Sequence, residues 1–472
     1  MKEENALGSE KISSLVMRIA IPSMLAQFVS VLYSIVDRMY IGNIAEVGKL
    51  ALAGAGVCGP VITFVAGFAY WIGIGGSPLV SIRMGEKDED AARKLLANCF
   101  LLLSIMAAVI TGFFLVVREP VLRMFGASEQ ILPYALDYFT VCICGTFFAL
   151  MSTGMNQFII CQGFAKKGMQ SVMLGAILNI VLDPIFIFVL GLGIKGAAIA
   201  TVISQMGSCI FVLCFLFSKH PPVRITFHGY SWKYMKQILF TGLPPFFIYA
   251  MEGIMVIAMN AVLQHFGGAS QGDLLVAAAT ISQSFLLVVI MPLGGITAGT
   301  GSILGYNFGA GQPDRILKAQ KYITMLAVGY TTILFVVGQL APLAFTRIFT
   351  PDMAVAEAAA DAIRMATLGI IPLSLQYVIV DGWTGMSLMH LALPMSVLRK
   401  STYLICTFVM PMLFGAPATF LAEAISDIFH TFVSIFLYFR CRNWLVNKSM
   451  EHRPAMEEQT SAAAPALQNA AV

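Results

Sequence analysis

Long apolar segments recur from one end of this 472-residue chain to the other. Many exceed about eighteen residues, the length at which an apolar helix can cross a lipid bilayer. Only 11% of the residues are charged, whereas a soluble globular domain carries about 25%. The segments are continuously apolar and do not alternate with polar residues, which argues against a transmembrane β-barrel. The sequence therefore predicts an all-α protein that crosses a membrane many times.

Twelve spans are predicted, six on each side of a polar connector. The connector, residues 218–234, separates an N-lobe at 16–217 from a C-lobe at 235–442. A polar segment at 1–15 precedes the first span, and the tail at 443–472 is predicted to be disordered because it is polar and rich in Ala and Pro. The predicted spans are 16–41, 50–80, 95–117, 134–162, 170–190, 196–217, 235–265, 274–305, 319–340, 355–388, 393–413 and 420–440.

Basic residues predict the orientation. If the N-terminus is cytoplasmic, most Lys and Arg residues fall in cytoplasmic segments, among which we count Arg399 and Lys400. Because cytoplasmic segments of membrane proteins are enriched in Lys and Arg, both termini are predicted to lie inside the cell. The opening residues show no short apolar core with a cleavage site, so no signal peptide is predicted. The outside loops hold only Lys49, Arg118, Arg123, Lys195 and Arg347.

The two halves of the chain repeat one another. The segment at 85–94 follows the second span, and a similar segment at 309–318 follows the eighth. An even number of spans in each half makes the two copies parallel, related by an axis along the membrane normal. The predicted fold is therefore two pseudo-symmetric six-helix lobes around a central cleft, which suits alternating access. The other matched positions are Arg123 with Arg347, Gly145 with Gly369, and Pro22 with Pro244.

Polar residues interrupt two of the apolar helices in the first half. Asn179 and Asp183 are four residues apart and therefore share a helix face. Pro184 follows at once and predicts a kink beside the carboxylate. On the next helix, Thr201 and Gln205 share a face in the same way. A charged group in so apolar a helix is expensive unless it faces a cavity, a partner or an ion.

The first predicted span also contains an acidic residue. Asp37 lies in VLYSIVDRMYIG, with Tyr33 one turn earlier on the same face. Polar groups can simply join membrane helices by hydrogen bonds, and for Thr201 alone we prefer that explanation. That explanation is less suitable for two carboxylates, because inserting each charged group at the centre of the bilayer would cost about 2.5–3.5 kcal/mol. Two carboxylates with an amide and a hydroxyl oxygen beside them form a ligand set for a proton or a hard cation.

Two further acids lie within spans of the second half. Glu252 occurs in IYAMEGIMV and Asp381 in VIVDGWTG. They could form a second acidic site or help to hold a cationic substrate. Alternatively, each could be a buried acid paired with Arg364, a serine or the backbone, and the sequence leaves both interpretations open. The basic residues that we count inside the spans are only Arg38 and Arg364.

Several classes of protein are disfavoured by absent patterns. The sequence contains no GxxxxGK[ST] loop, so this chain alone is not predicted to use ATP. Its nine cysteines form no CxxC pair, and we predict neither a metal site nor disulfides. No nucleophile–base pair is visible, so the chain is not predicted to be an enzyme. We predict no cofactor and no nucleic-acid partner.

Three runs of sequence are distinctive: VDRMYIGNI, NQFIICQGFAKKGMQSVMLGAILNIVLDPIFIF and GIKGAAIATVISQ. They resemble the MATE (multidrug and toxic compound extrusion) family, in particular its bacterial MepA-like branch, and the likeness covers about residues 12–445. The resemblance implies an antiporter in the bacterial cytoplasmic membrane that expels amphipathic organic cations in exchange for H⁺ or Na⁺. Besides these small molecules and membrane lipid we expect no partner, and we expect a monomer.

The resemblance also implies roles for single residues. Tyr33 and Gln205 are expected to line the substrate cavity. Some branches of the family use C-lobe carboxylates instead, and Glu252 and Asp381 lie in comparable helices. If a metal ion binds, it is Na⁺ at the coupling site. The family residues that coordinate the coupling ion correspond to Asp37, Asn179, Asp183 and Thr201.

Two other functions stay open from the sequence. A flippase for lipid-linked oligosaccharides could share the two-lobe architecture. Such a flippase should have a strongly basic cleft to hold pyrophosphate, and the few bases that we count inside the spans disfavour it. A membrane sensor or enzyme is disfavoured further because the chain shows no appended soluble domain and no catalytic cluster.

Overall fold

The computed structural model describes residues 6–44 and 47–451, and every regular element within these ranges is a helix. A helix satisfies its own backbone hydrogen bonds, as a segment inside a bilayer must. In chain order the helices are α1 (Ala6–Ser9), α2 (Ile12–Gly42), α3 (Gly48–Gly85), α4 (Glu89–Met124), α5 (Leu132–Cys144), α6 (Thr146–Ile160), α7 (Ala165–Pro184), α8 (Gly193–Phe217), α9 (Trp232–Thr241), α10 (Leu243–Gly268), α11 (Gln271–Gly309), α12 (Pro313–Leu340), α13 (Pro342–Thr346), α14 (Met353–Thr367), α15 (Ile370–Gly385), α16 (Met389–Phe414) and α17 (Ala422–Met450).

The helices account for the predicted spans. Ten helical stretches in the described ranges are long and apolar enough to cross a membrane. Two more spans arise if each bent helix pair counts as one: α5 with α6, bent by 54°, and α14 with α15, bent by 47°. That gives twelve spans, six in each lobe. The prediction of an all-α membrane protein with two six-helix lobes is confirmed.

The bends show the internal repeat. In the first lobe the bend falls at Gly145, and in the second it falls between Thr367 and Ile370, next to Gly369. A side chain at Gly145 would collide with Val202, and a Cβ at Gly369 would lie only 2.7 Å from the Cα of Ala424. Each glycine therefore lets a neighbouring helix pass close to the bend. The predicted match between these two glycines is confirmed by the position of the bends.

The two lobes are tightly joined at one end of the molecule. We call this the closed end; it carries segments 85–94 and 309–318. Here the backbones of α3 and α11 touch, because Gly85 packs on Tyr306 and Gly309 packs on Ile82 with no room for a side chain. Glycines at such crossings allow the closest approach of two helices. The closed end is therefore sealed by direct backbone packing between the lobes.

At the opposite end, called the open end here, the lobes have separate cores. One large apolar cluster includes residues of both lobes, and its C-lobe members lie mainly toward the closed end, such as Leu304 and Phe308. The part of the C-lobe toward the open end forms its own clusters, one around Met255, Met259 and Leu263 and another that includes Phe285. The lobes thus share a core toward the closed end only, and we infer from this that the predicted cleft between them faces the open end.

The connector between the lobes is docked on the N-lobe. The side chain of Asn98 donates hydrogen bonds to the carbonyls of Lys94 and Gly229 and accepts one from the backbone of Ser231. Gln162 accepts a bond from the backbone of Val223 at 2.9 Å. The polar stretch that the sequence identified as a connector is therefore held in a fixed path at the closed end.

Both outer ends of the helical bundle extend beyond the predicted limits. The first long helix begins at Ile12 rather than at 16, and a short helix precedes it. The last helix continues to Met450 instead of ending at 442, with Leu445 and Ser449 buried. The polar composition of 443–472 predicted a disordered tail, but its first part, up to Met450, continues the last helix. The rest of the predicted tail, from 452 onward, lies outside the described residues.

Candidate ion-coupling and substrate sites

The kink after Asp183 is built by its neighbour in sequence. Pro184 ends the regular α-helix, and the next five residues, Ile185–Val189, form a π-helical turn. Proline cannot donate a backbone hydrogen bond, and such wide turns are frequent at functional positions in helices. Pro184 thus interrupts the regular α-helix beside the carboxylate, within one span, Ala165–Val189. It places the Asp183 carboxyl group at a break in the helix, with 0% of the residue exposed.

Helices α7 and α8 bring three of the predicted residues together. The Asn179 side chain donates a hydrogen bond to Asp183 at 3.1 Å and lies 3.4 Å from the Thr201 hydroxyl oxygen. The first of these contacts follows from the four-residue spacing, and the second joins the two helices. Asn179 is 1% exposed. One amide thus connects the carboxylate of one helix with the hydroxyl of the next.

The first span completes the cluster. Helix α2 packs along α7, and the carboxyl groups of Asp37 and Asp183 lie within hydrogen-bonding reach of each other. Tyr33 is one turn before Asp37, and Gln205 is one turn beyond Thr201; both are partly buried. The four residues predicted to coordinate an ion are therefore neighbours in the structure, although 164 positions separate Asp37 from Thr201.

Three oxygen atoms in this cluster are buried without a hydrogen-bond donor among the described residues. They are Oδ1 of Asp37, Oδ1 of Asn179 and Oδ2 of Asp183. No described residue forms an ion pair with either carboxylate. Buried polar atoms almost always have partners, so unpaired ones need an explanation such as a bound ion. Two carboxylates at this distance and an amide oxygen can share a proton or surround a small hard cation.

The acids of the C-lobe have different surroundings. Glu252 accepts a hydrogen bond from Lys400 at 2.8 Å, and the Glu252 side chain is 48% exposed whereas that of Lys400 is 6% exposed. Asp381 accepts a hydrogen bond of 2.5 Å from the Thr297 hydroxyl. The structure therefore does not bring these two acids together with the N-lobe cluster. Each has a partner within its own lobe.

The placement of Arg399 and Lys400 in cytoplasmic segments is wrong. Both lie inside α16 and are buried, at 6% and 5% exposure. Arg399 donates to Asp427 at 2.7 Å and lies 3.9 Å from Glu423. The alternative partner suggested for the C-lobe acids is also wrong, because Arg364 pairs with Asp361.

Sequence reasoning missed this C-lobe charge network, although signals existed. Two bases stand side by side in the apolar run PMSVLRKSTYLICTF. Glu423 and Asp427 are four residues apart and thus share a helix face. Buried charges require partners, so two bases in one span and two acids on the face of the next already indicated pairing.

Aromatic residues join the two lobes between the two acidic regions. The ring of Tyr70 in the N-lobe stacks on that of Tyr249 in the C-lobe, with centroids 4.3 Å apart and planes at 3°. Closer to the closed end, Trp71 stacks on Phe246 and donates a hydrogen bond to the Leu239 carbonyl at 2.7 Å. The Tyr70–Tyr249 stack joins α3 of the N-lobe to α10 of the C-lobe. Glu252 lies one turn beyond Tyr249, toward the open end.

Two repeated helical lobes that meet at one end and hold buried carboxylates beside the cleft define a membrane transporter. The comparisons with known proteins agree. The MatE family model matches residues 22–185 and 244–409, one match in each lobe. The chain therefore belongs to this family, whose members are transporters and not enzymes, and it is of the MepA-like type.

Individual relatives are similar over most of the chain. The multidrug export protein MepA of Staphylococcus haemolyticus is 23% identical over 455 residues, which cover 94% of this chain and 98% of that protein. A FAD transporter of Shewanella oneidensis is 27% identical over 354 residues, covering 73% of this chain and 75% of the relative. A crystal structure of MATE in complex with MaD3S superposes with a TM-score of 0.87 at 23% identity, covering 94% of this chain and 99% of the other. The last comparison shows the fold alone.

Proposed function

We propose that this protein is a multidrug efflux antiporter, which exports amphipathic organic cations in exchange for H⁺ or Na⁺. The two lobes would expose the cleft alternately to each side of the membrane. The multidrug export function of the MepA relatives supports this proposal. Both lobes and both acidic regions belong to one chain, which supports a monomeric transporter without a cofactor.

The observation that carries the proposal is the unpaired N-lobe cluster. Asp37 and Asp183 lie together with buried oxygens that no described residue satisfies. A carboxylate kept without a basic partner in an apolar bundle is costly, and such residues usually mark ion or proton pathways. The amide of Asn179 and the hydroxyl of Thr201 add neutral oxygens to the set, as coordination of a hard cation requires. We infer that the coupling ion binds here.

The distribution of basic residues gives the proposed orientation. Segments 85–94 and 309–318 at the closed end are rich in Lys and Arg, and the positive-inside rule assigns them to the cytoplasm. Both chain termini are then cytoplasmic in a bacterial plasma membrane. The cleft of this structure opens to the outside in that orientation. The outward-facing conformation is the state in which the external ion reaches Asp37 and Asp183.

The proposed cycle uses one region of charge for two ligands in turn. An organic cation enters from the cytoplasm and is held by aromatic faces and nearby carboxylates. After the lobes rock outward, an arriving H⁺ or Na⁺ neutralises the Asp37–Asp183 pair, which weakens the binding of the organic cation and releases it. The neutral, loaded site then permits the return. Exporting one monovalent cation for one entering ion moves no net charge, so the ion's chemical gradient supplies the energy.

An anionic substrate is the second candidate. The FAD transporter relative and the buried bases Arg399 and Lys400 favour it, as they would favour the pyrophosphate of a lipid-linked oligosaccharide. However, these two bases are outnumbered by four neighbouring carboxylates in the same lobe, those of Glu252, Asp381, Glu423 and Asp427. Each base already pairs with one of them. The surplus of negative charge favours cations.

Transport by purified protein in proteoliposomes tests the proposal. Uptake or release of a fluorescent lipophilic cation is followed while a pH gradient or a Na⁺ gradient is imposed separately. One of the two gradients should drive the cation in the wild type and fail to drive it in Asp183→Asn. The matched control is Asp137→Asn, which removes an exposed N-lobe carboxylate paired with Lys195.

The outcomes separate the candidates. Gradient-driven movement of the cation in the wild type and in Asp137→Asn, with loss in Asp183→Asn, supports the proposed antiporter. Movement of FAD but not of lipophilic cations would favour the anionic substrate. Equal transport in all three proteins would contradict ion coupling by the N-lobe cluster.

A further inference from the structure

We propose that Arg315 is a gating residue, which fastens the segment Ala6–Glu10 to the C-lobe and thereby holds the closed end shut. We call this segment the N-terminal strap. The inference rests on the proposed alternating access of the two lobes. It adds a specific contact that must break each time the closed end opens.

The contacts of Arg315 converge on the strap. Its guanidinium donates to the Leu7 carbonyl at 3.2 Å, to the Glu10 carbonyl at 2.9 Å and to Oδ1 of Asn307 at 2.8 Å. The Asn307 amide donates in turn to the Leu7 carbonyl at 3.2 Å. Hydrogen bonds from a charged donor are stronger than neutral ones. One arginine thus binds two backbone carbonyls, one within the short helix α1 and one just after its end.

Packing makes the strap a link between both lobes. Leu7 is completely buried. A Cβ on Gly163, in the N-lobe, would lie 3.7 Å from the Leu7 side chain, an ordinary contact. On the other side, a Cβ at Gly8 would lie 2.8 Å from the ring of Tyr306, so the strap backbone lies directly on the C-lobe. Tyr306 is the residue on which Gly85 packs at the seal between the lobes. The strap therefore covers that seal.

The internal repeat shows that the fold does not require this arginine. With the offset of 224 residues, Arg315 corresponds to Ala91, and Asn307 corresponds to Arg83. The backbone N–H of Ala91 donates a hydrogen bond to the Asp88 side chain, which caps the helix. Arg83 forms an ion pair with Glu86, three residues further along the chain. The C-lobe copy thus carries a binding pair for the strap that the N-lobe copy lacks.

The strap also connects the gate with the ion site. It leads directly into α2, the continuous helix Ile12–Gly42 that carries Asp37. A movement of α2 that accompanies neutralisation of Asp37 reaches the strap along this one continuous helix. Arg315 therefore acts on transport by positioning the strap and touches neither the ion nor the substrate.

Labelling of a cysteine inside the closed seam measures gate opening directly. Ser81→Cys, in a chain whose nine cysteines are replaced, is a suitable probe, because Ser81 is 0% exposed and its Cβ lies 3.3 Å from a Cβ placed on Gly305 of the C-lobe. Arg315→Ala should raise the rate of labelling by a water-soluble maleimide about tenfold, equivalent to about 1.4 kcal/mol. Arg315→Lys keeps the charge without the planar fork and should lie in between.

A matched arginine at the same end is the control. Arg83→Ala removes an ion pair to Glu86 without touching the strap, and it should leave the labelling rate unchanged. A chain that starts with Met followed by Lys11 lacks the strap and should show the same increase as Arg315→Ala. Combining the truncation with Arg315→Ala should give no further increase, since both changes break one contact.

The results that would overturn the inference are distinct from failure of the proposed function. Unchanged labelling in Arg315→Ala, an equal increase in Arg83→Ala, or additive effects of truncation and substitution would each refute gating by Arg315. Labelling that rises as expected in a protein that moves no cation would leave the gate intact and refute the antiporter instead. Circular dichroism and size-exclusion profiles identify any variant that is unfolded, in which case the truncation and Arg315→Lys decide.

Discussion

Both lobes hold acidic residues within their helices but surround them differently. In the N-lobe, Asp37 and Asp183 lie against each other with buried oxygens that no described residue satisfies. In the C-lobe, Asp427 is bound by Arg399 at 2.7 Å and Glu252 by Lys400 at 2.8 Å. Repeated lobes of one fold thus contain an acidic site without a base among the described residues and an acidic network in which Asp427 and Glu252 each pair with a base.

This difference indicates which lobe couples transport to an ion. A carboxylate that already has a buried base gains little from a proton or Na⁺, because binding the ion would leave the base without its partner. A pair of carboxylates without a base is stabilised much more when it binds a proton or Na⁺. The N-lobe is therefore suited to exchange ions, and the C-lobe network is suited to hold its helices together.

The largest expected effect is on stability, and it differs in sign between the lobes. Arg399→Met leaves Asp427 as an unpaired buried charge and should lower the free energy of unfolding by about 3–5 kcal/mol. Asp183→Asn removes an uncompensated charge and should leave the stability equal or higher. Thermal unfolding of the detergent-solubilised proteins measures both. A similar loss in the two variants would show that the N-lobe acids are structural.

The next effect concerns coupled transport. Asp37→Asn should reduce ion-driven export of a lipophilic cation at least tenfold, whereas Thr297→Val should not, because it removes only the hydroxyl partner of Asp381 in the C-lobe. Initial rates in proteoliposomes under the effective gradient give the comparison. If Thr297→Val abolished coupling and Asp37→Asn did not, the roles of the lobes would be reversed.

A smaller effect, on the affinity for the organic cation, is expected at the Tyr70–Tyr249 stack between the lobes. Stacked aromatic pairs contribute about 0.5–1.5 kcal/mol beyond their buried area. Tyr249→Leu removes the stack with Tyr70 but keeps an apolar side chain, so the apparent affinity for an aromatic cation should change by less than about tenfold. Competition binding with aromatic and aliphatic cations checks this. Loss of binding for both classes alike would instead indicate that Tyr249 is needed for folding.

The smallest effect is expected for an exposed ion pair. Arg364→Gln breaks only the contact with Asp361, in which both side chains are largely solvent-accessible. Pairs of this kind contribute about 0–1 kcal/mol. Transport and thermal unfolding should both match the wild type. A marked loss in either would mean that Arg364 has a partner in another state of the transport cycle.

Much of this architecture could be predicted because it follows from local rules. The length of the apolar segments predicted the spans, and the four-residue spacing of Asn179 and Asp183 predicted that these two side chains share a helix face. The interruption of α7 followed from Pro184 alone. The match of Gly145 with Gly369 could be inferred from the constant offset between the two halves of the sequence.

The features that sequence reasoning missed depend on contacts between distant segments. The burial of Arg399 and Lys400 is set by acids on α10 and α17; the spacing of Glu423 and Asp427 indicates an acidic helix face, but the contact of Lys400 with Glu252 joins positions 148 residues apart. Counting bases as cytoplasmic is valid only when they have no buried partner. The contact of the strap with Arg315 joins positions about 300 residues apart, and nothing within the first fifteen residues indicates it.

Ion release on substrate binding tests the central claim most directly. When a lipophilic cation is added to purified wild-type protein in weak buffer, the N-lobe cluster should release about one H⁺, or about one Na⁺ in a Na⁺-loaded sample, per chain. Asp183→Asn should release none while still binding the cation. Equal release by the wild type and by Asp183→Asn would contradict the account, since the exchanged ion would then come from another site.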